Sequence, residues 1–147
     1  MAAFNKLNGF VEHLAKGYHG NLSTATLQVF LTNTAPGSET TPPTGAETTC
    51  IAANITQVSY TNLSSRTLTT ASCVQTSGTL NLVINDLVLT ASGAVAAFRY
   101  IYIVNTSSTT RTNALIGYYD YGSALTLNNG ETLTLDFDNV NGVVSIA

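Results

Sequence analysis

The last third of the chain, residues 115–147 (LIGYYDYGSALTLNNGETLTLDFDNVNGVVSIA), narrows the fold most. Three short runs of alternating apolar and polar residues are joined by glycine-containing turns. A period of two puts one side-chain set on each face, so each run reads as a half-buried strand. Asn129-Gly130 lies between two such runs, the strongest short-range hairpin signal, and Asn141-Gly142 marks another turn. The sequence stops on the last run with no polar tail, which predicts a terminus tied into a sheet.

The same texture extends back to Cys50. Strands are expected over residues 50–58, 66–75, 78–84, 87–91, 98–105, 114–119, 124–127, 131–136 and 143–146, after a first strand over 26–32. Many short strands with regularly spaced turns predict a mainly β fold, an antiparallel sandwich or barrel, in one domain spanning 1–147. Residues 98–104, FRYIYIV, are apolar on both faces apart from Arg99, so this strand should be central or lie under a helix. Its aromatics should pack with Tyr118, Tyr119 and Tyr121. A sugar-stacking platform and a subunit interface are the other readings of that tyrosine group.

One helix is expected, within residues 1–20. Phe4, Leu7, Phe10, Val11, Leu14 and Tyr18 recur at three- and four-residue steps, which predicts a short amphipathic helix over 4–18. Gly9 costs it about 1 kcal/mol relative to alanine. Gly17 and Gly20 are its stop signals. A helix this short must dock on something, either the chain's own sheet or a neighbouring subunit. Residues 33–49 hold all three prolines and no apolar period, so they read as a long surface loop, too polar to pack. Loops of this length often serve as binding arms.

Charge excludes several partners. Only 9% of residues are charged, against roughly 25% in ordinary globular proteins. Thr, Ser and Asn fill about a third of the chain instead. The five basic residues, Lys6, Lys16, Arg66, Arg99 and Arg111, are scattered, which leaves no footprint for nucleic acid or an anionic membrane. A neutral, hydroxyl-rich surface fits a protein packed into an assembly, although some lectins and adhesins share it. No signal peptide or spanning segment is expected, because Glu12 and His13 interrupt the N-terminal apolar run. Synthesis in a cytosol follows, and the four N-x-[ST] sequons, at Asn21, Asn54, Asn62 and Asn105, read as chance.

Chemistry-bearing patterns are sparse. Cys50 and Cys73 are read as two buried thiols or as a disulfide formed after release. Asp136, Asp138, Asn139 and Asn141 resemble a calcium loop, but Val140 occupies a ligand position, so a turn into Gly142 is preferred. Asp120 should serve a turn before Gly122. His13 on the helix's polar face and His19 beyond its end have no ligand-spaced partner. There is no nucleophile elbow and no phosphate-binding glycine pattern. No catalytic residue, metal or cofactor is therefore expected, and the chain is not read as an enzyme.

Two stretches together resemble a family of tailed-bacteriophage, head-associated virion structural proteins. The first is AFNKLNGFVEHLAKGYH followed by TLQVFLTNTAP; the second is FRYIYIVN, LIGYYDYG and LTLNNGETLTLDFDNVNGVVSIA. The resemblance covers both ends, roughly half of the chain, and brings no motif to residues 37–97. It implies a decoration (cement) protein bound to the major capsid protein on the outer head surface of the virion. Homo-oligomers are expected, trimers by analogy with cement proteins, with no nucleic-acid or membrane partner. Candidate interface residues are Phe4, Leu7, Phe10 and Leu14 on the helix and Pro36, Pro42 and Pro43 in the loop. The alternatives are a receptor- or glycan-binding module and a tail or neck component.

Overall fold

The computed structural model describes residues 2–147 and is mainly β, with every strand pair antiparallel. The strands are β1 (Phe4–Lys6), β2 (Leu27–Thr32), β3 (Thr67–Leu68), β4 (Thr70–Thr76), β5 (Thr79–Ile84), β6 (Leu87–Thr90), β7 (Val95–Asn105), β8 (Ala114–Leu127), β9 (Thr132–Leu135) and β10 (Val144–Ile146). One helix, α1 (Asn8–Ala15), follows β1. A five-stranded sheet runs β1-β8-β7-β2-β3, a three-stranded sheet β10-β5-β4, and β6 pairs with β9 alone. No sheet closes into a barrel, and the arrangement is sandwich-like.

The expected central strand is central. β7 is the middle strand of five, and Ile101 to Asn105 are buried on both faces. Tyr102 is fully enclosed, with its ring 5.3 Å from that of Tyr118. One hydrophobic cluster draws Phe10 from α1, Leu82 and Ile84 from β5, Leu89 from β6, and Phe98 and Tyr102 from β7.

The N-terminal stripe divides between two elements. Residues 4–6 form a strand rather than the first turn of the helix. Phe4 pairs with Tyr119 and Lys6 with Gly117, and the Leu7 N–H then donates to Ile116 O at 3.1 Å. Gly117 makes this possible, because a Cβ there would strike the Phe4 ring and lie 2.7 Å from Asn5 O. The helix ends as expected. The Tyr18 N–H donates to His13 O (2.9 Å) and the Gly17 N–H to Leu14 O (3.0 Å), a Schellman closure with Gly17 at φ +71°. Gly9 has a packing reason: its Cβ would come within 2.5 Å of Cys50 Cβ, so its absence lets the helix lie on Cys50.

Other expectations change where distant burial overrides local pattern. Residues 50–58 are not a strand. Short 3-10 turns at Glu47–Thr49 and Ala52–Asn54 flank Ile51, whose single bridge is to Ala114. The expected strand 66–75 breaks at Thr69 into β3 and β4, which join different sheets. The two runs around YYDYG fuse into the single strand β8. Asp120 Oδ1 does accept from the Gly122 N–H (2.8 Å), yet the chain continues straight on. Asn129-Gly130 makes a turn but no hairpin, because β9 pairs with β6. The Gly130 N–H bonds to Ala91 O and the Ala91 N–H to Glu131 O, and these contacts draw the chain across. The turn into Gly142 forms as expected, with the Asp138 carboxylate accepting from the Val140 and Asn141 N–H groups.

Truncating Phe10 to alanine should cost about 3–5 kcal/mol in denaturant unfolding. Val11→Ala, on the exposed face of the same helix, should stay within about 0.5 kcal/mol. Gly9→Ala should destabilise despite better helix propensity, because its methyl would meet Cys50.

Candidate functional site

The helix stripe is largely consumed inside the chain. Leu7 and Phe10 lie in the core, so the expectation that they anchor a neighbour is corrected: they are already buried in the chain's own apolar cluster. Phe4 and Leu14 are half-buried against the same cluster. The loop over 33–49 also departs from expectation, because it packs. Pro43 is buried, Pro36 half-buried and only Pro42 exposed.

What holds the loop is a buried carboxylate. Glu47 is 6% exposed, and its Oε1 accepts from Arg111 Nε at 2.6 Å. Lys16 Nζ stands 3.6 Å from Oε2, and His13 Nε2 stands 3.8 Å from Oε1. A carboxylate removed from water requires such compensation. The hydrogen bond from Arg111 holds the Glu47 carboxyl below its ordinary range, aided by the Arg111 and Lys16 charges against the opposing effect of burial. One residue thereby ties α1, the 33–49 loop and the loop after β7 together.

Both histidines are interior, against the expectation of a polar helix face. His13 is fully buried and His19 is 3% exposed, with ring centroids 5.4 Å apart. His13 Nε2 meets the Glu47 backbone oxygen at 2.9 Å. A carbonyl only accepts, so the proton sits on Nε2, and Nδ1 is left without a partner. At His19 the other ring nitrogen finds the partner. The Asn105 amide nitrogen donates to His19 O (2.9 Å) and lies 3.3 Å from His19 Nδ1. The Asn105 amide oxygen is taken by the Ser107 N–H and hydroxyl, which fixes the amide's orientation. His19 Nδ1 therefore accepts, and its protonated Nε2 has no partner. Burial, and secondarily the His13 charge, push the His19 imidazole down to about 4. His19 is therefore neutral at neutral pH.

The cations are mostly spent internally. Lys16 and Arg111 serve Glu47; Arg99 makes a two-pronged bond to Asp120 (2.7 and 2.8 Å). Arg66 stacks 3.6 Å from the Tyr60 ring centroid and donates to Val29 O. Of the five basic side chains only Lys6 makes no such contact among the described residues.

Three concave surfaces stand out, one of them lined by Ile51, Gln57, Thr110 and Arg111. An open depression is lined by Phe4, Lys6, Asn8, Thr44 and Tyr118, so strand β1 and the proline loop meet at one place. A smaller apolar cleft of about 150 Å³ lies between β8 and β9, walled by Tyr119, Tyr121, Leu133 and Phe137, with Asp136 at its rim. Tyr121 is half exposed there. No group of three or more His, Cys, Asp or Glu suited to a metal occurs among the described residues. Sequence reasoning missed Glu47. The one available signal was His13 and Lys16 three apart on one helix face, which a distant acid could serve.

The two thiols are free and differently placed. Cys50 is buried and pushed up to about 12, first by burial, while half-buried Cys73 lies on β4. A thiol reagent should label Cys73 in the native protein and Cys50 only on unfolding. Stability should fall as pH drops from 6.5 toward 4. Over that window the unfolded chain protonates His19 and the folded chain does not, a loss of order 3 kcal/mol. Glu47 contributes stability that is present above its ordinary value of 4.5 and is lost as the pH falls further. His19→Phe should flatten the upper part of this profile in urea titrations at each pH. No protein-family model, curated protein or solved structure matches this chain.

Proposed function

We propose that the chain is a structural virion protein of a tailed phage, a decoration protein that binds the outer capsid surface. The supporting observation is the depression where β1 and the proline loop meet. It gathers Phe4 and Thr44, from the two segments expected to reach a partner, around Lys6, the one basic side chain without an internal contact among the described residues. The other four cations are used for internal bonds. Contact must then come from shape, hydroxyl groups and apolar rims, which suits a lattice partner present in many copies. The resemblance at both ends of the chain points the same way.

A second reading, a glycan-binding module, is favoured by the β8–β9 cleft. A half-exposed Tyr121 beside Asp136 offers a ring face and an acceptor to a sugar. It predicts saturable binding on a glycan array, lost in Tyr121→Ala.

Purified protein added to heads that lack it should co-sediment saturably. Lys6→Glu should weaken that binding at least tenfold without lowering Tm. Absence of the protein from mature particles, or no binding to bare heads, would overturn the decoration reading.

A further inference from the structure

The three-stranded sheet ends on β4, and no strand among the described residues covers its outer side. Its hairpin partner fixes which backbone groups face outward. Ser77 and Gly78 form a two-residue turn with φ +52° and +88°. In such a hairpin the closing pair, Thr76 and Thr79, exchanges both hydrogen bonds. Alternation from there turns the N–H and C=O of Ser72 and Val74 toward β5 and those of Cys73 and Gln75 outward. The irregularity between Thr70 and Ser72 leaves this stretch regular.

This edge lacks the usual protection. Natural edges are kept short, charged or blocked by proline. The edges formed by β1, β3 and β10 are two or three residues long. The outer part of β8 carries the Arg99–Asp120 pair and a positive-φ Gly122. β4 has seven residues, and residues 67–85 contain no charged side chain and no proline. Val74 on its outer face is 58% exposed.

We infer that β4 is an interface with a second copy of this chain, paired antiparallel about a two-fold axis at Val74. In that register Cys73 of each copy faces Gln75 of the other, so all four outward groups of each strand are satisfied. Val74 meets Val74 at the closely spaced, non-hydrogen-bonded position, which removes both from water. Ser72 meets Thr76, hydroxyl to hydroxyl. The outer face Ser72-Val74-Thr76 is thus its own complement, as an isologous contact requires. Absence of charge means that nothing repels the second strand.

Covalent trapping tests the register. In a Cys73→Ser background, Val74→Cys should form a disulfide-linked dimer under mild oxidation, since non-hydrogen-bonded pairs bring Cα atoms to about 4.5 Å. Thr76→Cys alone should not, but a mixture of Ser72→Cys and Thr76→Cys chains should cross-link. Val74→Lys, which sets like charges face to face, should raise the dimer dissociation constant at least tenfold by sedimentation or light scattering, with circular dichroism unchanged. Gln75→Pro, which removes an outward N–H while sparing the bonds to β5, should do the same. Monomeric wild-type protein up to millimolar concentration would overturn the pairing, as would equal cross-linking at all positions. Monomeric protein whose head binding is lost in Val74→Lys would assign this edge to a foreign strand and also overturn it. The cross-linking, sedimentation and light-scattering measurements involve no capsids, so they stand or fall apart from the decoration reading.

Discussion

Burial of β7 on both faces is the constraint on which the rest depends. Ile101, Tyr102, Ile103 and Val104 leave no face for water, so both faces must be covered and both edges paired. β2 and β8 supply the edges. The enclosing cluster recruits α1 together with β5, β6 and Phe137. The other sheets are small, and an isolated two-stranded piece is marginal at best in water. They hold together because their apolar faces share the cluster built around this strand.

A second constraint follows from the scarcity of charge. With eight acids and five bases, each ion pair placed inside has a large effect on the surface left outside. Glu47 takes Arg111, with Lys16 and His13 close by; Asp120 takes Arg99. Breaking a pair with a buried member is far more damaging than its presence is stabilising, so the bonds of Glu47 specify geometry more than they add stability. They fix a polar loop over the protein body, and they leave a surface of hydroxyls, amides and strand edges. Such a surface associates through complementarity of shape and backbone, in line with both the proposed capsid binding and the proposed self-pairing through β4.

Much was legible because it depends on neighbours in sequence. The alternation in β5 and β9, the glycine closure of α1, the Asp138 turn and the apolar run of β7 are each local, and each formed. The reading failed where two local solutions were similar in energy. Phe4 suits a helical stripe and a strand equally, and Gly117, more than a hundred residues away, selects the strand. Asn129-Gly130 turns the chain, but the choice between β8 and β6 as the next neighbour belongs to the apolar faces of Leu133 and Leu135. Glu47 looked like one more polar loop residue. Its burial depends on Arg111, which the chain brings to it across 64 positions.

By itself, then, the sequence determined the texture of this protein: antiparallel strands, one short helix, a core strand without a polar face, and few, scattered charges. Those properties arise from backbone preferences and side-chain periodicity acting over a few residues. Tertiary structure alone decided which strands pair, that both histidines lie inside, that the proline loop is fastened down and that β4 is left with an open edge. Each of these is a contest for the same buried volume and the same few hydrogen-bond partners, and it is resolved only when distant segments meet.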